Sequence, residues 1–246
     1  IIANDANLSV TTTTTLGAKQ AVVITGDEDV SLGTVTAKSL DASASTGKIT
    51  LTSTSGLTAI TTGSGIDNIT TNDANTKHVV ATGAAADIIT ITATDDEASY
   101  DGGAGGDTIN ANETAKSYVV VGGDGDDTIT TTGAISAVIA GGAGTDTFDV
   151  NTGVATDVSA TTFRLTGMEK LDLVGLTETM TVTAAQFADF NTVEVNGDGA
   201  DDILLVNAAA TGSTIDASGL TVKALGTVTL KYAGGAGADV LTGGVA

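Results

Sequence analysis

The chain has 246 residues, 41% of them hydrophobic but only 3% aromatic, with 32 Gly and no Pro, Cys or Trp. A net charge of −21, from 30 acidic against 9 basic side chains, argues against nucleic acid and anionic membranes as partners. Lack of cysteine excludes disulfides and thiolate chemistry, and no apolar run reaches the roughly 20 residues of a membrane span.

Residues 1–61 are rich in Thr, Ser and Ala in alternating patterns, which predicts β coils poor in glycine loops. Thr11 to Thr15 is a low-complexity run within them. From 62 to 153 a nine-residue pattern recurs, G-G-x-G-x-D-x-U-x with U a large apolar residue. Full copies are GGAGGDTIN at 102–110, GGDGDDTIT at 122–130 and GGAGTDTFD at 141–149; weaker copies are TGSGIDNIT at 62–70 and TGAAADIIT at 82–90. The copies start at 62, 82, 102, 122 and 141, in steps of 20, 20, 20 and 19 residues.

Each period also carries two apolar columns. One is Val80, Tyr100, Val120 and Ile139; the other is Ile69, Ile89, Ile109, Ile129 and Phe148. Two inward columns per period mean two short strands per coil, and a coil cannot bury its inner face without a neighbour. The fold class expected is therefore all-β: a parallel β-solenoid of about 20 residues per coil, with two sheets around a thin aliphatic core.

Residues 154–195 lose the glycine loops. Phe163 to Leu165 and Met168 to Leu173 alternate like strands, while Thr183-Ala184-Ala185-Gln186 fits a helix capping box. A short helix near 184–190 is expected to interrupt or cap the first array. Residues 196–246 read as a second roll segment, with NGDGADDIL at 196–204 and the full motif GGAGADVLT at 234–242. The terminal Gly243-Gly244-Val245-Ala246 looks like the start of another repeat, so the array is expected to continue beyond it.

The loops suit calcium, a hard cation that takes about 6–8 oxygen ligands. Glycines let several carbonyls turn toward one point, and the Asp adds charge. One loop offers too few oxygens, but loops stacked in adjacent coils can surround an ion.

These residues resemble the nonapeptide of RTX proteins, secreted bacterial proteins with calcium-binding β-rolls. The resemblance implies side-chain ligands at Asp107, Asp127 and Asp146, and at Asp239 in an incomplete site. It implies backbone ligands from Gly102, Gly103, Ala104 and Gly105, from Gly122, Gly123, Asp124 and Gly125, and from Gly141, Gly142, Ala143 and Gly144. Asp67, Asp87 and Asp201 match the Asp position in loops short of glycine, while Asp124 and Asp126 add carboxylates beyond the motif. The family's roll has 18 residues per coil and a loop on both sides. Here one loop per coil places calcium along one edge, with ordinary turns opposite, such as 112–114 and 132–134.

No enzyme is expected. His78, the sole histidine, lies beside Val79 and Val80 and is read as an exposed strand residue; Arg164 is the sole arginine, and no G-x-S-x-G is present. The whole chain resembles RTX-type surface-layer proteins. That implies export by type I secretion, an extracellular location at the cell surface, and calcium-driven folding and self-association into a two-dimensional lattice. It also implies anchoring to cell-surface polysaccharide or lipopolysaccharide through a region not present here. The second reading is a calcium-folded carrier portion of a secreted enzyme, toxin or adhesin.

Overall fold

A computed structural model describes residues 2–3, 8–9, 14–15, 20–54, 56–72, 77–92, 97–111, 117–131, 136–150, 156–159, 163–173, 179–195, 201–207, 212–224, 227–235 and 237–243. The chain is an all-β parallel solenoid of about seven turns, about 20 residues apart. The first sheet runs through Ile2–Ala3, Ala21–Gly26, Ser39–Ser45, Ala59–Thr61, Val79–Ala81, Ala98–Ala104, Ser117–Asp124, Ser136–Ala143 and Arg164–Thr166. The second runs through Leu8–Ser9, Val30–Thr36, Ile49–Ser53, Asn68–Thr71, Ile88–Ile91, Thr108–Ala111, Thr128–Thr131 and Thr147–Val150, then Lys170–Leu173, Thr192–Val195 and Thr221–Ala224.

Pairing sets the core. In the first sheet Val22, Leu40, Ile60, Val80, Tyr100, Val120, Ile139 and Leu165 stack in one register column. In the second, Leu51, Ile69, Ile89, Ile109, Ile129, Phe148, Leu171 and Val193 do the same. All are buried. Each full burial of such a side chain contributes about 1.5–3 kcal/mol, so a core one or two side chains thick becomes adequate by repetition. Aromatic pairs add to this core: Tyr100 meets Tyr118 edge to face at 6.5 Å, and Phe148 meets Phe163 at 6.1 Å.

His78 departs from its expected exposure. It is fully buried, with Nε2 3.3 Å from Ser53 Oγ. The cause is the period-2 pleat: Val80 points into the core, so His78 does too, whereas Val79 between them is 50% exposed.

The second sheet continues through 154–195 without a break, while the first ends at Arg164–Thr166. A third parallel sheet joins Thr156–Asp157, Thr179–Thr183, Asp201–Asn207 and Thr227–Ala233, and a fourth pairs Thr214–Asp216 with Val240–Thr242. Ala184–Phe187 is the short helix, and it has the capping box read from the sequence. Thr183 Oγ1 accepts from the Gln186 N–H at 3.2 Å, and Gln186 Oε1 accepts from the Thr183 N–H at 2.7 Å. Gln186 Nε2 also donates to the Val158 carbonyl at 2.9 Å, which ties the helix to the third sheet's first coil. The turns at 112–114 and 132–134, expected to be ordinary, lie outside the described residues.

Candidate metal centre

From 62 to 149 each loop joins a first-sheet strand to the next second-sheet strand, and strand register stacks these loops on one edge; the loop at 234–242 instead joins the third sheet to the fourth. Gly103 pairs with Gly123, and Gly123 with Gly142. These second-position glycines have φ of 96°, 124° and 128°, and the fourth-position Gly105, Gly125 and Gly144 have 137°, 129° and 146°. Such angles are closed to most L residues, which is why the motif spends two glycines there. Their Cα atoms also press on the preceding coil: a Cβ on Gly123 would collide with the Gly103 carbonyl, and one on Gly125 with the Gly105 carbonyl.

The sixth-position aspartates form a ladder. The backbone N–H of Asp67 donates to Asp87 Oδ1 at 2.7 Å, that of Asp87 to Asp107 Oδ1 at 2.7 Å, and that of Asp107 to Asp127 Oδ1 at 2.8 Å. Asp127 N–H donates to Asp146 Oδ1 at 2.9 Å. Asp67 Oδ1 accepts from the Ile49 N–H at 2.6 Å, where the ladder begins. Each carboxyl thus reaches back one coil and fixes the register of the turn before it.

Only half of each carboxyl is used this way. All five aspartates are at most 2% exposed, and the Oδ2 of every one is buried without a hydrogen-bond partner. Burial pushes all five carboxyls above the ordinary range, Asp87 to about 7 and Asp127 to about 6. The ladder N–H favours the charged form, but desolvation outweighs it. In Asp87 and Asp127 the neighbouring ladder carboxylates add to the rise.

The free oxygens of Asp107, Asp127 and Asp146 point at the first glycine of their own loops. A Cβ on Gly102 would collide with Asp107 Oδ2 and stand 2.6 Å from the Gly122 carbonyl oxygen. A Cβ on Gly122 would meet Asp127 Oδ2 and the Gly141 carbonyl, the latter at 2.6 Å; one on Gly141 would meet Asp146 Oδ2 and the Gly167 carbonyl. Anionic oxygen and carbonyl oxygen from successive coils therefore converge over each of these glycines, with no donor supplied to Oδ2. This all-oxygen cradle suits a hard cation such as calcium and not zinc or copper, which favour nitrogen or sulfur. Among the described residues no group of three or more Asp, Glu, His or Cys side chains is placed to hold a metal. Any ion here would take most of its ligands from backbone carbonyls.

The remaining expected residues are distributed as follows. Ala104, Asp124 and Ala143, at the third loop position, are exposed, so only their carbonyls could serve an ion at the edge. Asp126 is exposed and its Oδ1 accepts from the Thr145 N–H at 2.8 Å. Asp239 lies at 234–242, where its Oδ1 accepts from the Ser213 N–H at 2.9 Å and its Oδ2 is 3.1 Å from a Cβ built on Gly234. That is the same reach-back rung, but half-buried and single. Tyr232 beside it has its hydroxyl pushed up to about 12, by desolvation and then by the neighbouring Asp239 carboxylate. Asp201 begins the strand Asp201–Asn207, opposite Thr227; the rest of its loop, 196–200, lies outside the described residues.

Glu169 is the residue that motif matching misses. Its Oε2 accepts from the Asp146 N–H at 2.8 Å, which makes it the last rung. It stands two residues before Leu171 of the second apolar column, as Asp146 stands two before Phe148. Extending that column past the final glycine loop would have found it. The longer side chain fits a coil that separates it from Asp146 by 23 residues instead of 19 or 20.

No protein-family model, curated protein or solved structure matches the chain.

Proposed function

We propose that the chain is a structural calcium-binding protein of a bacterial surface layer, in which calcium drives folding and lattice self-assembly outside the cell. The observation that carries the calcium part is the aspartate ladder: one oxygen of each carboxyl is bonded to the coil before it, and the other is buried unpartnered beside a stacked carbonyl. Uncompensated, buried carboxylates at each step of the stack oppose folding through desolvation and mutual repulsion. An ion seated at Asp107, Asp127 or Asp146 with the loop carbonyls removes both costs and adds binding free energy to the folded state alone. Asp67, Asp87, Asp201 and Asp239 belong to the same repeat in less complete loops.

Calcium sites of extracellular modules typically bind at about 10⁻⁴–10⁻³ M, a range met outside cells. A chain of this kind leaves the cell by type I secretion unfolded and folds on arrival. The surface-layer reading rests on the resemblance of the whole chain: acidic, cysteine-free and lysine-poor, with long loop-poor β coils. Those coils, 20–61 among them, favour a structural protein over the compact carrier segment of a secreted enzyme or toxin. A cell-surface polysaccharide or lipopolysaccharide is the anchor this reading implies.

Far-UV circular dichroism with and without chelator tests the folding part; β signal should be gained on adding calcium, and a spectrum indifferent to calcium would sink the proposal. Electron microscopy tests the assembly part. Calcium should yield ordered two-dimensional sheets, and soluble monomers at every calcium concentration would favour the carrier reading.

A further inference from the structure

Along the ladder the first loop position changes residue type. Thr62 and Thr82 stand where the next three loops have Gly102, Gly122 and Gly141. The strands preceding these loops are in register, Thr61 on Ala81, Ala81 on Asp101, Asp101 on Val121 and Val121 on Ala140, so the five positions stack. Thr62 Oγ1 donates to the Thr82 carbonyl at 2.7 Å, and Thr82 Oγ1 donates to the Gly102 carbonyl at 2.7 Å. Both threonines are buried and neighbour the carboxyls of Asp67 and Asp87, but their hydroxyls donate to the carbonyls, and the Oδ2 of each aspartate stays without a hydrogen-bond partner.

Each hydroxyl therefore fills the corner between its own loop's aspartate and the first carbonyl of the next loop. In the three loops that follow, the same corner holds no side chain. Asp107, Asp127 and Asp146 Oδ2 there face the carbonyls of Gly122, Gly141 and Gly167 over bare Cα atoms. Acceptors brought together out of water need a donor or a cation between them. A threonine supplies the donor and, being β-branched, holds it in a restricted rotamer. Its methyl and hydroxyl also take the volume that an ion would need.

We infer that Thr62 and Thr82 are built-in substitutes for the cation: the coils beginning at 62 and 82 close by hydroxyl donation and take no ion, and the metal sites start at Gly102. The inference rests on the calcium reading of the glycine loops. It divides the ladder into a metal-independent base, residues 62–91, and a metal-dependent stack above it, 102–150. The base offers a finished sheet edge on which each calcium coil can assemble.

The test is calcium titration of the full chain by calorimetry or equilibrium dialysis, comparing wild type with T62G/T82G and T62S/T82S. Opening both corners should add two bound ions, while the serine pair, which keeps both hydroxyls, should add none. A wild type that binds no calcium would overturn the parent reading. A wild type that binds calcium, with a folded T62G/T82G that binds no more, would overturn the substitution alone. So would a loss of ions in D67N/D87N. Hydrogen exchange of the wild type in chelator needs no variant: amides in 62–72 and 79–91 should stay protected while those in 102–111 and 117–131 lose protection. Equal loss in both sets would overturn the inference.

Discussion

The backbone N–H of Asp107 donates to Oδ1 of Asp127 at 2.8 Å, while Oδ2 of the same Asp127 carboxyl is buried and receives no hydrogen bond. The two oxygens have separable tasks, register and charge, and two substitutions separate them. Asp127→Ala leaves the Asp107 N–H unpaired in the interior, at a cost of about 1–3 kcal/mol to the calcium-bound fold. Asp127→Asn keeps an acceptor for Asp107 and offers an amide donor toward the Gly141 carbonyl. Its stability in chelator should equal or exceed wild type, while its calcium-induced rise in Tm shrinks. Thermal unfolding in chelator and in calcium checks both.

Protons and calcium compete for the ladder. Burial raises Asp87 to about 7 and Asp127 to about 6 from 3.8, so the folded chain binds these protons more tightly than the unfolded chain. For a raised carboxyl the stabilising contribution is complete below the unfolded value and is lost as pH rises through the folded one. In chelator, Tm should therefore fall between about pH 4 and pH 7. With calcium present the share of that fall due to Asp127 should disappear, while the share due to Asp87, whose coil takes no ion, remains. Acidification below pH 6 should lower the calcium-dependent part of Tm. A Tm that rises with pH through this window in chelator would contradict the assignment.

Ala85 has φ of 89°, although it sits at the loop position held by Gly105, Gly125 and Gly144 in the next coils. An alanine there is strained by about 1 kcal/mol or more, part of which its stiffer unfolded chain offsets. Ala85→Gly should raise the denaturant midpoint by up to about 1 kcal/mol in free energy. Gly105→Ala should do the reverse and by more, because its Cβ would also strike the Ala85 carbonyl. Equilibrium urea unfolding of both variants decides the point.

Thr82→Val keeps the shape of the side chain and deletes its O–H. The Gly102 carbonyl then loses its hydroxyl donor, a cost of about 1–3 kcal/mol. Calcium should not restore the loss, since the valine methyl still fills the corner; Thr82→Ser should stay close to wild type. Urea midpoints at saturating calcium read the difference.

Much of this architecture was legible because the loops keep phase with the apolar columns. Val80, Tyr100, Val120 and Ile139 stack as their spacing predicts, and so do Ile69 through Phe148. The capping box at Thr183 was equally plain, because it is a local signal confined to four residues. The direction of the aspartates was not. A motif states that Asp107 recurs as Asp127, but only stacking reveals that each side chain serves the backbone of the coil before it. Glu169 escaped because the ladder's last rung uses a different residue in a longer coil. The burial of His78 is hidden in its neighbours Val79 and Val80 and follows only from the pleat, which points it inward with Val80.

The interstrand hydrogen bonds, including the Asp67-to-Glu169 rungs, join each coil to its neighbours along the stacking direction. Tension along that direction is therefore borne in series, and the weakest junction sets the yield point. Extension then proceeds by peeling single coils of about 20 residues, each releasing about 70 Å of chain at some 3.5 Å per residue. A cation straddling two coils acts as a rivet across one such junction. Calcium supply would thus govern how far a tethered chain stretches, and at what force, before its roll gives way.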